Sequence, residues 1–273
     1  MSIEQIGFIG GGNMATALIG GLETSQPGAW RFTVIEPLAA ARDSLGRFAS
    51  VTSHAAPNAD LAACTAIVLA VKPQHFADAA RAIAPWARGK LIVSIAAGIR
   101  CGDISRWLEG QGAIVRCMPN TPALIGAGVT GLYASSNVLP AQHALATRLL
   151  AAVGETVWVK QESELDAVTA VSGSGPAYVF YFIEALERGG LELGLDAAAA
   201  RQLAIATMLG AAKLAAQSEE SPAVLRERVT SKGGTTYAAL TSMAADGIDS
   251  AIVRALQAAA HRAAEMGDEF GKM

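Results

Sequence analysis

From residue 5 to residue 159 the chain repeats one unit, a short apolar run followed by a stretch of helical length, and this rhythm limits the folds open to it. The runs are Gln5–Ile9, Arg31–Ile35, Ala66–Val71, Leu91–Ile95, Ala113–Met118, Val129–Tyr133 and Thr156–Val159. Several are β-branched and nearly unbroken, the pattern of strands covered on both faces. Between most of them lie alanine-rich segments such as Asn13–Glu23, Ala39–Phe48 and His75–Ala84. Such alternation predicts a doubly wound, mostly parallel α/β sheet of the Rossmann type, with right-handed crossovers. Val129–Tyr133 follows a Gly-rich turn with no helix before it, which predicts an antiparallel strand at the sheet edge.

Past Glu162 the strand signals stop. Pro176 opens an apolar helix through Tyr178–Ile183 to Leu186, Asp196 caps an alanine-rich helix, and Ser221-Pro222 starts a short one. Asp249 is the expected cap of a last helix with Ile252, Leu256, Ala259, Ala263 and Met266 on one face. The chain therefore reads as two domains: a dinucleotide-type sheet domain over residues 1–161 and an all-helical domain over 162–273. The helix at Tyr178–Ile183 is apolar nearly all round, and a small helical domain rarely encloses such a helix. A second subunit is the expected cover, making a homodimer; the alternative cover is the sheet domain.

Composition narrows the function. Apolar residues are 52% and charged residues 16%, which excludes a disordered chain. The net charge of −3 with no basic run lacks the footprint of a nucleic-acid binder. No apolar stretch approaches the roughly 18 residues of a membrane span, and no secretory signal is apparent, so a cytoplasmic protein is expected. Cys64, Cys101 and Cys117 are widely and irregularly spaced, which fits reduced core thiols and no metal site.

Chemistry is carried by a few junctions. Gly10, Gly12 and Ala15 fit a G-x-G-x-x-A turn between the first strand and its helix, with Gly11, Asn13 and Met14 between them. Glu36 ends the second strand, where a carboxylate accepts from adenosine ribose hydroxyls and repels a 2′-phosphate; Arg42 is near enough to reach a phosphate, so NADH and NADPH both stay open. Val71-Lys72-Pro73, Ala96-Ala97-Gly98 and Pro119-Asn120-Thr121-Pro122 are further strand ends facing the same crevice, with Gly98 leaving room for a nicotinamide ring. In the second half, Gly233-Gly234-Thr235-Thr236 precedes a helix, a receptor for a small carboxylate, although threonine hydroxyls there also serve as helix caps. Ser174 lacks the strand before it that a nucleophile elbow requires.

Phe8 to Ala15, Ala70-Val71-Lys72-Pro73, Arg116 to Pro122, Asp166 to Tyr178 and Gly233 to Thr236 together make the chain resemble the pyrroline-5-carboxylate reductases along nearly its whole length. That resemblance implies hydride transfer from NADPH or NADH to the C=N carbon of 1-pyrroline-5-carboxylate, giving L-proline. It implies Thr236 at the ring nitrogen with Glu219 as its orienting carboxylate. Substrate contacts fall to Glu162, Gly233, Gly234 and Thr235. Asn58 is the nearest counterpart, one residue out of register, of an asparagine beside the adenosine, and Lys232 stands where the family usually has proline. A homodimer, with assembly into a decamer, is also implied. A β-hydroxyacid dehydrogenase is the competing enzyme, but neither Lys213 nor Lys232 has the glycine-rich helix expected around its base.

Overall fold

The computed structural model describes residues 3–273. Strands β1 (Glu4–Ile9), β2 (Trp30–Ile35), β3 (Val51–His54), β4 (Ala66–Leu69), β5 (Leu91–Ser94), β6 (Ile114–Met118), β7 (Gly128–Ala134) and β8 (Gly154–Trp158) form one sheet. Their order is β3-β2-β1-β4-β5-β6-β7-β8. Helices α1 (Asn13–Ser25), α2 (Ala39–Leu45), α3 (Phe76–Ala87), α4 (Cys101–Trp107) and α5 (Pro140–Ala151) run between strands, and α6 (Glu164–Val168) follows the last. Among the described residues only β6 and β7 pair antiparallel. The expected antiparallel strand is therefore present but is not an edge. β8 pairs parallel to β7 outside it, Gly128 opposite Gly154, after the α5 crossover. β3 had no apolar run to announce it: as the outermost strand its Val-Thr-Ser-His residues need no burial on both faces.

Strand alternation divides the core into two. Ile6 and Phe8 of β1, with Val68 of β4, lie in one cluster closed by Leu18 and Leu22 of α1 and Leu149 and Leu150 of α5. Ile9, Ile67 and Leu69 point the other way, toward Phe76 and Ile83 of α3 and Ile104 and Trp107 of α4. Each such side chain stabilises the fold by about 1.5–3 kcal/mol when fully buried. All three cysteines are buried and unpaired.

The chain divides into two units, one running to Ser174 and taking in Ala258–Met273, the other Gly175–Gln257. The second holds α7 (Gly175–Glu192), α8 (Ala197–Gln217), α9 (Pro222–Arg228), α10 (Thr235–Ala245) and the start of α11 (Ile248–Phe270). Asp196 and Ser221 cap as expected, Oδ1 accepting from Ala199 N–H at 2.9 Å and Oγ from Val224 N–H at 3.4 Å. Asp249 does not cap; α11 starts one residue earlier and places it in the first turn, where a carboxylate favours the helix dipole. The α7–α8 contact relies on small residues, with the Gly190 Cα side facing Ala200. No residue of α7, α9 or α10 is buried, and α8 buries only Ala200 and Ala204. Phe180, Tyr181, Leu203 and Leu209 are 54–71% exposed. By the same area argument, this unit has almost no core within one chain.

One charge is buried in the sheet. Arg116 of β6, 6% exposed, donates from Nη1 to Glu162 Oε1 at 2.8 Å. The same oxygen accepts the Cys101 N–H at 2.7 Å, at the start of α4. A guanidinium in this position needs such a partner, because removing either side leaves a charge stranded. Asp166 of α6 lies in the same neighbourhood. Burial pushes its carboxyl above the ordinary range, Arg116 and Arg100 pull it down, and Glu162 and Asp268 push it up again.

Two outcomes follow from this packing. Gly154 has φ +144°, and a Cβ there would sit 1.9 Å from the Gly128 carbonyl oxygen. Gly154→Ala is expected to lower the unfolding free energy by about 2 kcal/mol or more, read as a lower urea midpoint. Asp166 holds its proton to higher pH folded than unfolded, so its contribution to stability falls as pH rises from the ordinary aspartate range through the raised native value. Asp166→Asn should therefore raise the urea midpoint at neutral pH, and the gain should vanish below the ordinary aspartate range. A lowered midpoint at neutral pH would contradict the burial argument.

Candidate functional site

The strand order reverses direction between β1 and β4, and in open α/β sheets ligands lie at the carboxyl ends of strands beside such a reversal. At that edge β1 turns into α1. Gly10 has φ +97°, its N–H donates to the Ile35 carbonyl at 2.8 Å, and a Cβ on it would meet the Ala70 carbonyl oxygen at 2.6 Å. Only glycine passes there. Gly12 is the N-cap of α1; nothing lies within 4 Å of where its Cβ would be, and its cap makes no side-chain hydrogen bond. Asn13 and Met14 open the helix with no acid in its first turn, and Ala15 is buried beneath it. An uncapped helix start with an open glycine backbone suits a pyrophosphate. These residues fit a dinucleotide.

The neighbouring strand ends are less uniform. Glu36 is 9% exposed; its Oε2 accepts from Gly11 N–H and its Oε1 from Leu38 N–H, both at 2.9 Å. Arg42 donates from Nη1 to the Glu36 and Pro37 carbonyls, at 2.8 Å each. Val71 is half-buried, while Lys72 is exposed and precedes a short 3₁₀ turn begun by Pro73. Ala96 is buried and Ala97 half-buried after β5. On the side where a Gly98 side chain would stand, α11 is already packed: a Cβ there would lie 3.1 Å from Met266 Cβ and Phe270 Cδ2. Asn58 sits in the crossover before β4 and caps a 3₁₀ turn, its Oδ1 accepting from Asp60 N–H at 2.9 Å. Glu162 is the partner of Arg116 described above.

Sequence reasoning quoted two segments without seeing that they meet. Asn120, 9% exposed, accepts the Val129 N–H on Oδ1 at 3.0 Å and donates from Nδ2 to the Ser172 carbonyl at 3.2 Å. Ser172 belongs to a π-helical turn, Thr169–Gly173, closed by Ser174 N–H donating to the Thr169 carbonyl at 2.8 Å. Such turns are uncommon and recur at functional sites. Arg116 was also unassigned, although a charge inside an apolar strand already asks for a buried partner. Burial raises the thiols of Cys101 and Cys117, which disfavours the thiolate that a nucleophile needs.

In the helical unit, Gly233 is left-handed at φ +75° and Gly234 is the N-cap of α10. Thr235 and Thr236 are the first two helical residues, one exposed and one half-buried, and neither hydroxyl caps the helix. The Gly234 N–H donates to the Ser231 carbonyl at 3.0 Å, while the helical amides from Thr235 onward face no side-chain cap and no acid in the first turn, an arrangement suited to an anion. Lys232 is exposed just before them. Glu219 is exposed in the bend between α8 and α9, and its neighbour Glu220 is the one that pairs with Arg228.

Comparison with known proteins accounts for both halves. Residues 162–266 match the family model for pyrroline-5-carboxylate reductase dimerisation, and residues 5–98 match NADP oxidoreductase, coenzyme F420-dependent. The pyrroline-5-carboxylate reductase of Pseudomonas aeruginosa is 46% identical over 276 residues, covering 100% of both chains. That of Haemophilus influenzae is 41% identical, covering 99% of this chain and 100% of its own. Among solved structures, the Coxiella burnetii pyrroline-5-carboxylate reductase superposes with a TM-score of 0.92 at 35% identity, covering 97% of this chain and 99% of that one. The Plasmodium falciparum pyrroline carboxylate reductase, solved with NADP bound, gives 0.85 at 27% identity, with 98% and 99% covered. With relatives of that identity running its whole length, the chain belongs to the pyrroline-5-carboxylate reductase family.

Proposed function

We infer that the chain reduces 1-pyrroline-5-carboxylate to L-proline with NAD(P)H. The observation that carries this reading is the glycine-capped start of α10, which leaves the threonine hydroxyls and the first amides without a capping partner. Residues 1–161 would hold the dinucleotide: Gly10–Ala15 at the pyrophosphate, Glu36 and Asn58 toward the adenosine, and Val71-Lys72-Pro73 with Ala96-Ala97-Gly98 along the remaining strand ends. Residues 162–273 would hold the substrate and a second subunit. The dinucleotide, once bound, supplies the hydride.

The demands on the protein are modest. A cyclic imine is basic enough to arrive protonated, so its carbon is already electrophilic and no strong general acid is needed. The amides of Gly233 and Thr235 grip the carboxylate beside Gly234, whose own N–H is donated to the Ser231 carbonyl, and Thr236 holds its hydroxyl to the ring nitrogen. Glu219 orients that hydroxyl, and the family resemblance adds Glu162, whose charge is balanced by Arg116, as a further substrate contact. Fixing the imine against the hydride donor then supplies most of the rate, since a bound near-attack geometry replaces a bimolecular encounter.

The apolar residues exposed along α7 and α8 support a homodimer through the helical unit; a decamer of such dimers rests on the family resemblance alone. Three buried thiols suit a reducing, cytoplasmic setting.

Thr236→Ala should lower kcat about a hundredfold while leaving cofactor affinity and circular dichroism near those of the parent; unchanged turnover would remove Thr236 from the reaction. Sedimentation equilibrium should give at least twice the monomer mass. Tyr181→Asp, which sets a charge on an apolar side chain 71% exposed in the single chain, should shift that mass downward and lower the melting temperature.

A further inference from the structure

We propose that Glu36 makes this site selective for a dinucleotide with a free adenosine 2′-hydroxyl, so that NADH is preferred over NADPH. The inference rests on the reading that the chain is an NAD(P)H-dependent reductase, and narrows it. A carboxylate at the end of the second strand is the group that meets the adenosine ribose in this fold. Whether it discriminates depends on whether it can move aside and whether a cation stands ready to neutralise a phosphate.

It cannot readily move aside. Both carboxylate oxygens of Glu36 accept backbone amides, from the glycine turn on one side and from the loop after β2 on the other. Turning the carboxylate away would strip an acceptor from Gly11 N–H and from Leu38 N–H together, in a place where Glu36 is 9% exposed. The glycine at position 11 belongs to the same device. A Cβ there would lie 3.2 Å from Glu36 Cβ and 2.9 Å from Leu45 Cδ1, so the missing side chain lets the glutamate pack closely beneath the turn. Each oxygen keeps a lone pair for a donor. A ribose hydroxyl has a proton to give; a 2′-phosphate brings about two negative charges against a third that is held in place.

The nearby basic side chains face elsewhere. Arg42 commits Nη1 to the Glu36 and Pro37 carbonyls. The Arg47 guanidinium lies 4.8 Å from the centroid of the Phe48 ring, and His54 pairs with Asp60 at 2.8 Å. The strand end is thus a fixed anion, with one Arg42 nitrogen tied to two backbone carbonyls and the Arg47 guanidinium over the Phe48 ring.

The test is the dissociation constant of NADH and of NADPH for the whole protein, by quenching of tryptophan fluorescence at fixed ionic strength, followed by turnover of 1-pyrroline-5-carboxylate with each. NADH should bind roughly tenfold or more tightly than NADPH. Glu36→Gln, which keeps the shape and loses the charge, should narrow that ratio several-fold. Arg42→Ala should leave the ratio unchanged. NADPH binding as tightly as NADH, a ratio unmoved in Glu36→Gln, or NADPH affinity lost in Arg42→Ala would each overturn the proposal. Binding of neither dinucleotide, or turnover with neither, would instead overturn the reductase reading beneath it. The parent ratio decides the question even where a variant fails to fold.

Discussion

The passage of Gly10 against the carbonyl of Ala70 governs the geometry of the sheet's carboxyl edge. At 2.6 Å from a would-be Cβ, two strand ends are brought as close as backbone permits. The chain leaves β1 over the end of β4, and the first turn of α1 begins with its amides unobstructed. Gly11 then seats the Glu36 side chain, and Glu36 in turn fastens the loop after β2. The turn, the acid and the second strand end form one hydrogen-bonded assembly, in which the glycines supply space and the glutamate supplies the tie.

The two units solve stability in different ways. The sheet unit buries aromatic and branched side chains on both faces and is complete as a core. The helical unit pairs α7 with α8 through Gly190 and Ala200 and leaves its large apolar side chains uncovered in the single chain. Small residues let helices approach closely but bury little area each, so that unit derives little stability from its own contacts.

Much of this was legible from residue order. The strand-helix rhythm, the glycine turn, the caps at Asp196 and Ser221 and the antiparallel β7 all depend on local chemistry that a few neighbouring residues express. What was hidden depends on distant partners. β3 has a polar outer-strand composition that resembles a loop, and β8 displaced β7 from the edge only because α5 carries the chain outward. The small residue at Gly98 suggested room for a ring, but the end of α11 uses it for Met266 and Phe270. Arg42 carried a charge within reach of a phosphate, and nothing local revealed that it turns back to two carbonyls. The free hydroxyls of Thr235 and Thr236 were undecided from spacing, since threonine at a helix start commonly caps, whereas here the cap is a glycine.

The three buried cysteines have a practical corollary. Cys64 and Cys117 are 3% exposed and Cys101 9%, and burial pushes all three thiols up from the ordinary cysteine range. While folded, the polypeptide therefore behaves toward alkylating probes as though it had no sulfhydryl group. A spectroscopic label can be attached to a newly introduced surface cysteine with the native three left in place, and their delayed modification then serves as an internal clock for opening of the sheet.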